Sequence, residues 1–331
     1  TMGQSLPSLV IDGQDLGLTP PSGASTLRLD VSALKMTGQT LAWPVSGMSQ
    51  VRADDLQLAI AQGVGSAANP LEAVVKTLSV SSQTGDMFLK HDGNVTLVRE
   101  GLSVREGAGS ITLQVSGDLG MQTQSSVSTS TGSVSLQTGG DMATSSVVSI
   151  SGDIRLVSGG RMDIGQVTDV QGDVSLTAMG DAFVHRIDNT QGAIVVEAAS
   201  LTLLDGGLVS NVSGLTRVQL RGDLAMEAGS SVQSDSGNIL IDAAGAVQIS
   251  RVVSVAGRID ARSGGDMEIN QISNTHGDIA VTAAGDATVR NIDNILGAVG
   301  LEASSLTQES GGQITDDSGS ITITLRDSLS M

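Results

Sequence analysis

The sequence predicts an all-β fold, a right-handed parallel β-helix (β-solenoid) with three short strands in each coil of about 20 residues. Three observations predict it. Glycines that open a G-x-φ-x-φ phrase, with φ apolar, fall at 109, 132, 152, 172, 192, 214, 237, 257, 277, 297 and 319. Their spacings run 23, 20, 20, 20 and 22, and then the same five again, so a 105-residue super-repeat encloses five coils. Aromatics are only 1% of the 331 residues, as a narrow interior filled by stacked aliphatic side chains requires.

The leading segment, residues 1–80, lacks this ruler. It holds Pro7, Pro20, Pro21 and Pro44 among alternating runs such as TLRLDVSALKM and VRADDLQLAIA, which read as less regular β-structure. The stretch NPLEAVVKTL (69–78) has the Asn-Pro-Leu-Glu start of a short helix, since proline is accepted at a first helical position. From residue 81 onward the chain reads as solenoid, with super-repeats at 109–213 and 214–318 and a third starting at 319. A gapless alignment of the two complete super-repeats gives roughly 44 identities in 105 positions, which marks tandem duplication.

Each coil then reads in order. At the second and fourth residues after the opening glycine stand β-branched and leucine side chains, such as Ile154 and Leu156, Val174 and Leu176, Ile279 and Val281. Period two with such residues is strand chemistry. The opening glycines Gly132, Gly152, Gly172, Gly237, Gly257 and Gly277 make one corner. A second glycine eight residues on makes another, at Gly140, Gly160, Gly180, Gly245, Gly265 and Gly285. A second short strand follows, and a third apolar beat falls at Val147, Val167, Ile187, Val252, Ile272 and Ile292. Two residues later come Ser149, Asp169, Asn189, Ser254, Asn274 and Asn294, residue types that bond their own backbone and mark the third corner. A strand this short cannot bury its face alone. Stacked about 4.8 Å from a near-identical neighbour, it can. The right hand follows from the crossover preference of parallel strands.

Composition excludes several functions. There is no cysteine, so no disulfide, thiolate metal site or cysteine nucleophile. A net charge of −18 repels phosphate backbones and speaks against nucleic acid. No apolar run reaches a membrane span. The opening TMGQSLPSLVIDG has no basic region followed by an apolar stretch, so no signal peptide is read there.

Candidate chemistry is sparse. His91, His185 and His276 are scattered, and no phosphate loop, nucleophile elbow, H-E-x-x-H or EF-hand motif occurs. Asp153 over Asp173, and Asp266 over Asp286, place like charges on adjacent coils. Such pairs fan apart or share a cation, which makes them the metal candidates, with calcium the one cofactor entertained. On one outward offset Arg161 stands between Asp141 and Asp181, and Arg258 neighbours Asp278, as exposed ion-pair ladders. A sugar-cleaving β-helix would need convergent acids and bases. Asp169, Asp188 and Asp293 sit near corners, while Arg155 and Arg186 lie on other faces. Thr177 and Thr282 are too few for an ice-binding array, and Asn94-Val-Thr96 and Asn211-Val-Ser213 match glycosylation acceptors, a match read as chance.

The phrases SGGRMDIGQV, SGGDMEINQI, GDIAVTAAGDATV and NPLEAVVKTLSVSSQTGDMFL resemble the repeats of giant bacterial surface and secreted adhesins of the filamentous-haemagglutinin group, over roughly 69–331. The resemblance implies export to the cell surface or medium and a non-enzymatic, structural and adhesive role as a stalk or filament segment. The partner would be a host, neighbouring-cell or matrix surface ligand held by other parts of the chain, with end-to-end or lateral self-association as a further contact. Two alternatives stay open. One is a polysaccharide-acting β-helix enzyme or phage tail spike, with its groove where coils lengthen near 206–213 and 229–236. The other is a self-assembling extracellular filament subunit.

Overall fold

The computed structural model describes residues 9–12, 15–17, 28–38, 40–42 and 50–330. Among them there is no helix; strands stack in parallel and build a β-solenoid. Two compact units divide the chain, residues 1–161 and 162–331.

In the first unit the parallel stacking begins well before residue 81. Leu9–Asp12 lies beside Arg28–Gly38, which pairs with Gln50–Ile60, which pairs in turn with Leu71–Ser82. The expected boundary at residue 80 is therefore not a change of architecture. Coils precede the glycine ruler, and among the described residues Gly63, Gly65 and Gly85 already turn with positive φ. Pro7, Pro20, Pro21 and Pro44 lie outside the described residues. The short helix expected over 69–78 is a strand instead. Leu71, Ala73, Val75, Leu78 and Val80 are buried in near alternation, and the strand pairs on both sides. Two ladders of neighbours outweigh the helix-start signal of one Asn-Pro pair.

The second unit shows the regular coil. One sheet is a column of five-residue strands running Val174–Ala178, Ile194–Ala198, Thr216–Leu220, Ile239–Ala243, Ile259–Ser263, Ile279–Ala283 and onward in parallel register. The remainder of each coil is one bent ten-residue strand in Met162–Gln171, Ala182–Gln191, Met267–His276 and Ala287–Leu296. Elsewhere it splits in two, as in Val247–Ile249 and Val252–Ala256. The core is the stack of inward beats. Val174, Ile194, Ile259, Ile272, Ile292 and Val289 are at most 1% exposed, each lying on its counterpart one coil away.

The opening glycines are a backbone-on-backbone column. Gly257, Gly277 and Gly297 adopt φ of +143°, +134° and +133°. A Cβ on each would come within 2.4 Å of the carbonyl oxygen of the opening glycine one coil back. Both the conformation and the space therefore demand glycine.

The longer coils place their extra residues in a recurring bulge. Gly101, Gly206 and Gly311, 105 residues apart, all turn with positive φ, and the strand register shifts there. In the next coil Gln124 and Gly229 do the same, at φ of +74° and +72°. The super-repeat is thus visible within each unit as a two-coil irregularity, at Gly101 and Gln124 in the first and at Gly206 and Gly229 in the second.

Candidate functional site

The acidic residues after the second glycine have a structural task that the sequence hides. In the second unit the Asp266 Oδ1 accepts the Asp286 N–H at 2.9 Å, and the Asp223 Oδ1 accepts the Ala246 N–H at 2.7 Å. In the first unit Asp118 holds the Asp141 N–H, and Asp141 holds the Arg161 N–H, both at 2.8 Å. At the opening corner Asp173 holds the Ala193 N–H at 2.7 Å, and Asp278 the Ala298 N–H at 2.9 Å. Each carboxylate reaches one coil onward and satisfies a backbone donor at the turn, where the strand ladder lapses. The second glycine makes room for it. A Cβ on Gly140, Gly160 or Gly285 would sit 2.1 Å from the capping oxygen. The G-D phrase is therefore one device split over two coils.

This geometry revises the ion-pair expectations. Arg258 pairs with Asp260 at 3.5 Å rather than with Asp278, because Asp278 is occupied at the corner. Asp260 also takes a two-pronged contact from Arg262, at 3.0 and 2.9 Å. Of the four aspartates picked as metal candidates, Asp153 belongs to the first unit and Asp173 to the second. Asp266 and Asp286 do meet on neighbouring coils. One oxygen of Asp266 holds the Asp286 N–H, and the Asp286 carboxylate accepts the Ser305 hydroxyl. Among the described residues no group of three or more His, Asp or Glu side chains converges as a metal-binding set.

The third-corner residues are buried rather than exposed. Asp169, Asn189, Asn274 and Asn294 are at most 3% exposed. The Asn189 Nδ2 donates to Gly172 O at 3.0 Å and Ala193 O at 3.3 Å, tying the openings of successive coils together. The Asn274 Nδ2 does the same to Gly257 O at 2.8 Å. Asn211 belongs to this column and is 1% exposed, with its amide bonded to Gly192 O at 3.1 Å. Its sequon is thus closed to glycosylation. Asn94 spends its side chain on Asp118, accepting the backbone N–H at 2.9 Å.

Two surface troughs remain as candidate sites. In the second unit a trough of about 690 Å³ runs across four coils. Its floor is low because Ala225 and Ala246 are small, and its walls carry Asp223, Asp266, Glu268 and Asp286 with Gln248 and Thr288. The lining holds four carboxylates and no cationic side chain, so it would attract cations and repel acidic polymers. Gln248 donates to Glu268 at 3.3 Å. The candidates Asp169, Asp188 and Asp293 are absent from this lining. Asp188 pairs with Arg186 on its own strand, and Asp293 accepts the Thr315 hydroxyl at 2.7 Å.

In the first unit a smaller trough of about 360 Å³ is lined by Lys90, Gln114 and Gln137, stacked in register, with His91 beneath. His91 is 2% exposed. It sits where one neighbouring strand has ended and the next has not begun, and its ring stands in for the missing backbone. The Val75 N–H donates to Nε2 at 2.9 Å, and Nδ1 lies 3.2 Å from Gly93 O. Burial pushes the imidazole below its ordinary value, against the opposing pull of contacts to Val75, Gly93 and Asp92. The sequence signal was present but thin: His91 continues the inward alternation of Met87 and Leu89.

No protein-family model, no curated protein and no solved structure matches the chain.

Proposed function

We propose that this chain is a structural, non-enzymatic spacer segment of a secreted or surface-displayed bacterial adhesin. It holds attachment sites carried elsewhere at a fixed distance from the cell. One observation carries the reading. The side chains with defined geometry at the corners are spent on the coil beside them: carboxylates cap backbone donors, and buried amides tie coil openings. Such chemistry serves length and stiffness. The resemblance of SGGRMDIGQV and SGGDMEINQI to adhesin repeats points the same way.

A spacer is tested by changing its length. Deleting 214–318 joins Ser213 to Gly319 in register, because the super-repeat begins at both 214 and 319. The shortened chain should fold, shorten the particle by about 24 Å (five coils at strand spacing), and leave attachment chemistry unaltered. Attachment of cells displaying each version to surfaces held at set separations reads this out. Equal reach for both versions, or no attachment by the native parent, would overturn the proposal.

The acidic trough favours a second reading, action on a polysaccharide. Incubation with neutral and acidic polysaccharides, scored by new reducing or unsaturated ends, separates the two. Ends released by the native chain and abolished by Glu268→Gln would support the enzyme.

A further inference from the structure

One outward column of the second unit does not behave like a solvated face. It is formed by the residue after each buried third corner: Val170, Thr190, Val212, then Asp235, then Val255, Thr275 and Ile295. Val212, Val255 and Ile295 are 42%, 47% and 46% exposed. These residues need no burial for the fold, since their inward neighbours already fill the core.

Strand propensity does not explain the column. The outward column two residues upstream on the same strands is more polar, holding Thr168, Asp188, Ser210, Gln233, Val253, Ser273 and Asp293. Duplication sharpens the contrast. Val170 corresponds to Thr275 and Thr190 to Ile295 across the super-repeat. At these two positions the identity changed while the β-branched shape remained, whereas Val212 corresponds to Asp317. In a chain of net charge −18, the column itself holds one ionisable side chain, Asp235. Exposed apolar surface kept in register marks a contact surface.

We propose that this strip is a lateral docking surface for a second copy of the same chain, packed antiparallel about a two-fold axis through Val255. Three features select that occupant. A column with one side chain every coil, about 4.8 Å apart, matches a partner with the same spacing, which another solenoid supplies. The strip is where two strongly acidic copies approach with least repulsion. The register follows from the strip's two titratable groups. Asp235 lies one coil before Val255, and His276 lies one coil after it, beside Thr275. An axis through Val255 sets each Asp235 opposite the other copy's His276 and each Val212 opposite the other copy's Ile295. With the axis at Val255 the facing strips run from Val212 to Ile295, four coil steps about 10 Å wide, or roughly 200 Å² per copy. A stable standard interface needs about 800 Å² per partner. The contact is therefore weak for one unit and grows with the number of super-repeats aligned.

The chain has no cysteine, so a single introduced thiol reports the contact. Val255→Cys, on the axis, should couple through a short bis-maleimide about tenfold faster than Gln219→Cys on another face, because a docked pair raises the local thiol concentration. Adding Asp235→Lys should bring the rate down to that of Gln219→Cys. The exchange Asp235→His with His276→Asp should restore it. Equal rates at Val255→Cys and Gln219→Cys, as a strip serving some other protein would give, overturn the proposal. So does fast coupling that ignores both the charge reversal and the exchange. The inference does not depend on adhesion, since cross-linking and attachment are read separately.

Discussion

Replacing Asp266 tests whether the repeated aspartates hold the fold or hold a cation. Its Oδ1 accepts the Asp286 N–H at 2.9 Å. The bond is charge-assisted but solvent-exposed, so its value resembles that of a helix N-cap, about 1 kcal/mol on truncation to alanine. Asp266→Ala should therefore open the Asp286 amide about fivefold more often, since 1.4 kcal/mol is tenfold. Asp266→Asn keeps an oxygen in the same place and loses the charge. Oxygen rather than charge suffices elsewhere in this fold, where Asn238 holds the Arg258 N–H at 2.8 Å. Hydrogen exchange at the single Asp286 amide is the assay. The residues flanking that amide are unchanged, so its intrinsic rate is too. The expected order is Asp266→Ala fastest, with Asp266→Asn close to the parent and calcium without effect on either. If Asp266→Asn exchanges as fast as Asp266→Ala, and calcium slows the parent alone, the carboxylate acts through its charge and the capping argument is wrong.

Three further outcomes follow from the same geometry. Ile272→Ala removes a side chain with 0% exposure from the middle of a stack; it should cost about 2–5 kcal/mol, read as a lower urea midpoint for the second unit. Gly257→Ala puts a Cβ 2.4 Å from Gly237 O at φ +143°, whereas Gly206→Ala at φ +66° meets nothing within 4 Å. The second should cost about 1 kcal/mol for its left-handed backbone and the first clearly more, so the ranking of thermal midpoints checks the stacking claim. His91 gives a pH dependence. Its folded value is depressed below 6.5, so the unfolded chain takes the proton first as pH falls. Its contribution is complete above that value and is lost on descending through it. Melts of the parent minus those of His91→Gln, taken from pH 8 to pH 5, should show the loss; a flat difference would refute the buried neutral imidazole.

The spacing of glycines made the coil legible, because Gly257 and its counterparts face a steric demand at every pass and cannot drift. The inward beats were legible for a like reason: Ile272 must match Ile292 in shape to stack on it. The leading coils were less so: Gly63 and Gly85 turn there with positive φ, but outside the regular 20-residue spacing. A stacked ladder supplies from neighbours what local propensity withholds. The corner chemistry was half legible. Asn189 and Asn274 read as corner residues that bond their own backbone, and they do stand at corners, but they are buried and their amides donate to Gly172 O and Gly257 O, 17 residues back. Nothing within 20 residues of sequence distinguishes an asparagine that bonds its own turn from one that bonds the next turn over.

The same limit explains why Asp266 and Asp286 look like ligands in the sequence. In a solenoid, residues one coil apart are close whatever they do, so two aspartates at one offset always appear paired. Proximity by itself then carries no information about function. What discriminates is where the oxygens go. The Asp266 Oδ1 goes to a backbone donor, and a glycine on the adjoining coil, Gly285, leaves space for that oxygen. A cation site would leave the glycine unexplained, because a ligand facing outward needs no missing Cβ behind it. By this criterion the outward column through Val255 stands apart. Val255 and Ile295 are 47% and 46% exposed, and the β-branched shape was kept on duplication at Val170/Thr275 and Thr190/Ile295, though not at Val212, which corresponds to Asp317. Residues that serve the stack are kept because the next coil needs them. This column neither caps a backbone donor nor fills the core, which is why the proposed lateral contact is placed there.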